Sequence, residues 1–336
     1  MLRRRLITVC LLLPLSMAVM ASPLLSEGVG ERLSIAPLTT SHWHQNAPYN
    51  GLCPVVADGN LKTAAGCVAI AAAQIIYYWR DHNPATTTYD TPTYPYGKAP
   101  VTYSVPAGTP YEWELMKDSY TDDDSEASRD AVARLVYVIG TSAWLSYGAT
   151  TGGSIYDVIN PLVSQFQMTA QYATKNVFSQ EEWEELLYQE LANGRPVLYA
   201  GTKNGSGHAV VIDGYDATRR LFHFNFGWGG DEDGYYTVDD ATGMDGYSQI
   251  QKCVYGILPK SIAEDTAMRP ATKRQDQALR LSHSGDGCLQ VESTEDVAVT
   301  ICRMDGQVVS RFHVSGREEV RLPRGLYVIN GQKWLQ

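Results

Sequence analysis

A cysteine that follows a glycine and opens a run of helix formers sits where chemistry is easily done. This chain has one at Gly66-Cys67-Val68-Ala69, with the run continuing to about Tyr78. A thiol there faces the unpaired N–H groups of a first helical turn and the positive end of the macrodipole, and both favour thiolate. From the stretch alone, an inert cysteine in an Ala-rich core helix reads equally well. A second residue able to do chemistry is His208, which follows the small-residue loop Gly205-Ser206-Gly207 and begins the apolar strand His208-Ala209-Val210-Val211-Ile212. Its ring can stand at a strand end facing a cleft. Asn225 ends a later strand, just before Phe226-Gly227-Trp228-Gly229-Gly230. An amide there is able to hold an imidazole by its second nitrogen, with an aromatic ring keeping water off the bond. The plain alternative is a glycine-rich turn. Taken together, a proton passed from Cys67 to His208 would give a thiolate–imidazolium pair, with Asn225 fixing the ring's tautomer.

The elements that must position these groups are legible. The Cys67 helix is preceded by the aromatic, polar run Ser41 to Asn50, in which His42 and His44 flank Trp43. A Pro/Thr/Tyr-rich segment from Asn83 to about Pro110 lacks periodicity and reads as a loop wrapping the surface. The acidic run Asp122 to Glu126 reads as a solvated turn and helix start, and an amphipathic helix follows over about 127–139. Ser154, after the glycine-rich loop from Gly148, is placed to cap a helix running towards Leu162. Ser179-x-x-Glu182 is a capping box whose helix stops at Gly194. The texture then changes to short strands near 196–200, 208–212, 221–225, 234–238 and 254–258, in which His223 reads as a packed residue. Helices first and strands after predict an α+β fold.

Of the 336 residues, 44% are apolar and 19% charged, which marks a globular chain. Arg3, Arg4 and Arg5, the apolar run Leu6–Val19 and the small-residue end Val19-Met20-Ala21 make 1–21 a secretory signal, too short for a bilayer span. Its removal takes three arginines and no acids, moving the formal charge from −10 to −13. So acidic a chain is a poor partner for nucleic acid, and there is no basic stripe with interleaved aromatics. Cys10 leaves with the signal, so Cys53, Cys67, Cys253, Cys288 and Cys302 remain. An odd number in an exported chain leaves at least one thiol free, and Cys288 with Cys302 is a candidate bridge. With no Cys-x-x-Cys and no His-Glu-x-x-His, neither a metal nor an organic cofactor is expected.

His208 lies 141 residues beyond Cys67, and Asn225 a further 17; papain-like enzymes place these partners about 130–150 residues after the cysteine. The chain resembles the streptopain family of papain-fold cysteine endopeptidases, in its Bacteroidetes branch. The runs that carry the likeness are Trp43-x-Gln45-x-x-Pro48-Tyr49-Asn50-x-x-Cys53-Pro54, Gly66-Cys67-Val68-Ala69 with Gln74, His208 to Tyr215, and Asn225 to Gly230 with Asp233-Gly234-Tyr235-Tyr236. The resemblance implies a papain-like fold over 36–260, a helical half plus an antiparallel β half, with 22–35 a short pro or linker segment. It implies Cys67 as nucleophile, His208 as general base and later acid, Asn225 as the orienting residue and Trp228 flanking that pair. The Cys67 N–H would donate to the oxyanion, and Tyr147, Gly152, Gly153, Ser154 and Gly207 would line the peptide groove. The substrates would be proteins or peptides, with a hydrophobic residue one removed from the scissile bond on its acyl side.

The pattern departs from the family in three places. The glutamine expected six residues before the nucleophile is Leu61, flanked by Asn60 and Lys62. The usual Asn-Trp-Gly-Trp run reads Asn225-Phe226-Gly227-Trp228. The family's long inhibitory propeptide has no counterpart in the segment of about 14 residues that follows Ala21, so latency is expected to be kept otherwise or the enzyme to be active once folded. Beyond a polar linker at 261–276, short alternating strands near 297–301, 308–314, 319–322 and 326–329 predict a small all-β sandwich over 277–336. This region resembles the sorting domains of proteins exported by the type IX system, which would give a contact with export machinery and a secreted or surface-attached product. Two rival readings stand beside the protease: a catalytically impaired homologue serving as a surface binding module, and a papain-fold transglutaminase or cell-wall amidase.

Overall fold

The computed structural model describes residues 32–56, 61–95, 97–268, 279–283, 288–303, 308–322, 326–329 and 332–335. The expected signal at 1–21 and most of the segment 22–35 lie outside the described residues. Helix α1 (Cys67–Tyr78) starts where the sequence places it, because Gly66 takes φ 93°, a backbone turn that strains any residue with a Cβ. A Cβ on Gly66 would also meet Thr151 Cγ2 at 2.9 Å. No side chain caps α1 and no acid sits in its first turn, so the first-turn donors are left for whatever binds there. Every residue from Val68 to Tyr77 is buried. Burial of side chains such as Ile70, Ile75 and Ile76 stabilises by roughly 2 kcal/mol each, so the position of Cys67 is set by the core rather than by a loop.

Helix α2 (Glu126–Ser142) packs on α1 and is capped by Ser125, whose hydroxyl accepts the Ser128 N–H at 3.2 Å. The acidic run ahead of it is indeed a turn: Asp124 accepts the Thr121 N–H at 2.7 Å and pairs with Lys117. Ser154 caps a short 3₁₀ turn that leads into α3 (Ile159–Ser164), and α4 (Gln180–Ala192) carries the complete Ser179–Glu182 capping box. The 83–110 segment does not simply wrap the surface; Tyr94, Val101 and Val105 are buried in the helical core.

Six strands form one antiparallel sheet: β1 (Met168–Thr174), β2 (Val197–Lys203), β3 (Ser206–Asp216), β4 (Leu221–Asn225), β5 (Gly234–Tyr236) and β6 (Gln249–Pro259), in the order β1-β6-β2-β3-β4-β5. The two central strands carry long apolar runs, Val197–Ala200 and Ala209–Ile212, because both faces are covered there. Leu198, Ala200, Ala209 and Val211 join the core with α1 and α2, while Val197, Tyr199, Val210 and Ile212 join Trp183, Leu187 and Leu191 of α4. Helix α1 lies against β3, which is how one core brings the start of the helix to the start of that strand. Among the described residues no helix is long and apolar enough to cross a membrane.

The linker expected at 261–276 is helical in its first part, as α5 (Lys260–Met268); residues 269–278 lie outside the described residues. In the C-terminal region β7 (Leu279–His283), β8 (Leu289–Arg303), β9 (Val308–Val320), β10 (Leu326–Ile329) and β11 (Gln332–Leu335) form one connected five-stranded sheet. Of these, β10 has the expected bounds, β8 and β9 are longer than their local patterns predict, and β7 and β11 are additional. β9 follows one edge of β8, and β7 and β10 share the other edge in succession. The register shift of the β8–β9 pairing, between Ser293↔Gly316 and Val297↔Val314, falls where sequence reading divides β9 into strands near 308–314 and 319–322. Cys288 precedes β8 and Cys302 lies near its end, on the order of 40 Å apart at strand rise, where a bridge needs Cα atoms within about 7 Å. The bridge is excluded by that placement, and Cys53, Cys253 and Cys288 are free thiols.

Candidate active site

Cys67 is half-buried at the first position of α1, and the backbone N–H of Ala209, the residue after His208, comes close enough to its sulfur to favour the thiolate. The helix start and the strand start, 141 residues apart in sequence, are therefore in contact. Burial pushes the Cys67 thiol above its ordinary pKa, and the N–H groups of Ala209, Val68 and Cys67 itself work against that rise. The helix-terminal donors thus do not by themselves make a thiolate here, because desolvation outweighs them. The thiolate needs an adjacent positive charge. No direct bond joins the thiol to His208 among the described hydrogen bonds, and such bonds are commonly long before substrate is bound.

His208 is buried, and its Nε2 lies 2.9 Å from the Phe226 carbonyl oxygen. A carbonyl only accepts, so the hydrogen sits on Nε2 and Nδ1 carries the lone pair. Rings surround the imidazole: Trp228 stacks at 4.6 Å between centroids, Tyr247 lies at 5.5 Å and Phe226 at 6.0 Å. Burial among them pushes the imidazolium down to about 4, while the Phe226 carbonyl pulls the other way. Each partner alone is thus held neutral. Opposite charges formed together offset much of that penalty, since each becomes the other's counter-ion in a water-poor site.

Asn225 makes no hydrogen bond to the imidazole among the described residues, unlike the direct bond expected from sequence. Its Nδ2 donates to the Ser41 carbonyl at 2.7 Å and to Gln74 Oε1 at 3.1 Å. Its Oδ1 accepts from Gln74 Nε2 at 3.0 Å and from the Gly227 N–H at 3.1 Å. The histidine's acceptor is the next residue's backbone. Asp233 steadies that residue from the other side, accepting the Phe226 N–H at 2.8 Å while its second oxygen lies 3.3 Å from His42 Nδ1. Trp228 flanks the imidazole itself rather than an Asn–His bond.

Leu61, six residues before Cys67, is 77% exposed, its carbonyl accepts the Val56 N–H, and it makes no contact with Cys67 or His208 among the described hydrogen bonds. The glutamine whose backbone is held near the nucleophile is Gln45. Its carbonyl accepts the Ala65 N–H at 2.8 Å, which holds residue 45 beside the chain leading into Cys67. Its half-buried side chain makes no hydrogen bond among the described residues. It lies in the Trp43-x-Gln45 run, whereas counting six residues back from the cysteine reaches Leu61.

Of the expected groove residues, Tyr147 is 1% exposed and packed in the helical core, so its ring cannot line a groove. Gly152 and Gly153 are exposed and Ser154 half-buried, following a loop tied to the nucleophile's lead-in. In that loop the Ala64 N–H donates to the Gly148 carbonyl at 3.2 Å, and Thr151 Oγ1 donates to the Ala64 carbonyl at 2.6 Å. Gly207 is exposed at the start of β3. Tyr247, which sequence reading did not single out, reaches the imidazole from the loop after β5, too far along the chain for any local pattern to announce it.

With this geometry established, known proteins can be compared. Residues 43–236 match the Peptidase C10 family. Streptopain of Streptococcus pyogenes is 30% identical over 241 residues, covering 65% of this chain and 60% of streptopain's own length. The thiol protease/hemagglutinin PrtT of Porphyromonas gingivalis is 29% identical over 252 residues, covering 68% of this chain and 28% of that protein. The active wild-type interpain A cysteine protease of Prevotella intermedia superposes with a TM-score of 0.60 at 32% identity, over 67% of this chain and 96% of the other. The chain thus spans about 60% of the length of the streptopains it matches, and its catalytic-region fold is papain-like. A match over more than half the chain, carried by the segments that hold Cys67, His208 and Asn225, makes this chain a member of the Peptidase C10 family.

Proposed function

We propose that this chain is a cysteine endopeptidase that cleaves peptide bonds of protein substrates through an acyl-enzyme on Cys67. The observation that carries this reading is a helix-terminal thiol brought beside the start of β3, where the tautomer of His208 is locked by the Phe226 carbonyl. Nδ1 of His208 takes the proton from Sγ, and the thiolate attacks the scissile carbonyl carbon. The carbonyl electrons move onto oxygen, where the Cys67 N–H and the Gln45 amide donate to the oxyanion. Collapse expels the amine, which takes the proton from His208. Water, deprotonated by the same imidazole, then releases the acid and restores the thiol. Asn225 acts here as a positioning residue rather than the imidazole's direct partner. Gly152, Gly153, Ser154 and Gly207 border the groove in this reading, and a substrate can approach their backbones closely.

Gln45→Ala is expected to lower kcat by about 10²-fold, the usual effect of losing one oxyanion donor. Its KM should change far less, because the contact strengthens as the oxyanion forms. Peptide hydrolysis by the purified variant measures both, and an unchanged kcat would remove Gln45 from the oxyanion site.

The reading as a whole is tested by alkylation. A Cys67 thiolate paired with imidazolium reacts with iodoacetamide at mildly acidic pH, where an ordinary cysteine of pKa about 8.5 does not. One label per chain should abolish casein digestion. If Cys67 reacts no faster than free cysteine and casein stays intact, the chain is instead a binding module on a protease scaffold. Cleavage of peptidoglycan without proteolysis would favour the amidase. Secretion through the 1–21 signal, with the C-terminal sheet serving as a sorting domain that contacts export machinery, is part of the same proposal and rests on the sequence resemblance.

A further inference from the structure

Gln74 lies on α1 seven residues after Cys67, two turns along the same helix face. It is completely buried in an otherwise apolar and alanine-rich helix, so its amide must find partners. It finds four. Its Oε1 accepts from Ser41 Oγ at 3.0 Å, from the Trp43 N–H at 3.3 Å and from Asn225 Nδ2 at 3.1 Å. Its Nε2 donates to Asn225 Oδ1 at 3.0 Å. The backbone fixes which end of each amide is which. The Trp43 and Gly227 N–H groups only donate, and the Ser41 carbonyl only accepts, so neither amide can be turned over without opposing like groups.

The chain of contacts does not stop at Asn225. Its Oδ1 also accepts the Gly227 N–H, and that N–H belongs to the same planar trans peptide as the Phe226 carbonyl. On the opposite side of that peptide, the Phe226 oxygen receives His208 Nε2. One continuous line therefore runs from Gln74 Nε2 to Asn225 Oδ1, through the 226–227 peptide, to the imidazole. It begins on the helix that carries the nucleophile and ends on the ring that must take the nucleophile's proton. We propose that Gln74 is a positioning residue for catalysis, holding His208 in register and in the correct tautomer relative to Cys67 by clamping the peptide that His208 bonds.

This rests on the assignment of Cys67 and His208 as the reacting pair. A purely space-filling residue at this place would be served by leucine. The amide is needed because losing it frees Asn225 and lets the 226–227 peptide rotate. A ring released from Phe226 places its hydrogen on Nδ1 part of the time, and in that form it cannot accept from the thiol.

The test compares wild type, Gln74→Leu and Gln74→Glu, each taken from the folded, monodisperse fraction with a cooperative thermal transition. It reads kcat and KM on a peptide and the pH profile of iodoacetamide alkylation. For Gln74→Leu, kcat is expected to fall by about tenfold to a hundredfold, the scale of a small misplacement of reacting groups. KM should hold, and the acid limb of alkylation should move to higher pH. Gln74→Glu keeps the acceptor for Ser41, Trp43 and Asn225, and when protonated it also keeps the donor. Its kcat is therefore expected to approach wild type at low pH and to fall away as the buried carboxyl ionises, a pH course wild type lacks. Should Gln74→Leu not fold, Gln74→Glu decides alone. Wild-type kcat and alkylation profiles in the folded variants would overturn the positioning role and leave Gln74 a packing residue. Slow alkylation of wild type itself would instead overturn the catalytic assignment beneath it, a result visible without any variant.

Discussion

Alanine in place of Cys67 is expected to abolish digestion of a denatured protein substrate, lowering kcat by at least about 10⁴-fold, while the chain stays folded. The sulfur is the only protein atom in the proposed route that forms a covalent bond to substrate, and neither Cys53 nor Cys253 can replace it. Cys53 and Cys253 are buried, and burial pushes both thiols up, Cys53 to about 12. The structural effect of the change is small by contrast. Alanine suits the first turn of a helix, and the change removes only a half-buried sulfur. Activity and thermal unfolding should therefore separate cleanly, activity vanishing with the melting temperature shifted by a few degrees. Residual proteolysis above about one part in a thousand of wild type, in protein freshly purified from a protease-deficient host, would place the nucleophile elsewhere.

Removing the imidazole is the second large effect. His208→Ala is expected to lower kcat by about 10³- to 10⁴-fold and to move thiol alkylation to the alkaline pH of an ordinary cysteine. The same residue governs stability against pH. Burial holds the folded His208 at about 4, below the 6.5 of an exposed histidine. Between these values the unfolded chain binds the proton and the folded chain does not, so stability falls as pH is lowered from about 6.5 to about 4. The loss from this one group is bounded at roughly 3 kcal/mol, fully recovered above the upper value. The measurement belongs in a Cys67→Ala background, where no thiolate can recharge the ring. There the melting temperatures of the histidine-containing protein and of Cys67→Ala/His208→Ala should converge as pH falls from 7 to 4. A gap that widens instead would mean that folding raises, not lowers, the proton affinity of His208, and that the ring cage does not act as argued.

The Gln45 and Gln74 variants test what lies around this pair. Gln45 sits beside the nucleophile's lead-in because the Ala65 N–H bonds its carbonyl, and Gln74 sits beneath it because the two share a helix. The first variant should alter the oxyanion step, the second the proton transfer, so their pH profiles should differ.

How much of this was readable in advance depended on how far apart the determining residues are. The start of α1 was legible because Gly66 and the alanine-rich run act within a few residues, and so was the capping box at Ser179 and Glu182. The paired strands of the β half were legible from their apolar runs, and His208 and Asn225 from the small residues beside them. Those signals are enough to bring a thiol, an imidazole and an amide to one region. They do not say which group bonds which. Counting six residues back from Cys67 reached the exposed Leu61, whereas the glutamine whose backbone is held near the nucleophile is Gln45, brought there by a backbone bond across twenty residues of chain. Asn225 was legible as a site residue but not as Gln74's partner, since the two are 151 residues apart and meet only when α1 packs on the sheet. Tyr147 looked like a groove residue from its glycine-rich neighbourhood, and the core claimed it. Sequence by itself determined the elements, their caps and the chemical types at their ends, because these follow from contacts within a turn or a strand. Only the tertiary structure decided that His208 is held by the Phe226 carbonyl, because which backbone group faces a ring is settled by strand register and helix packing, not by any pattern along the chain.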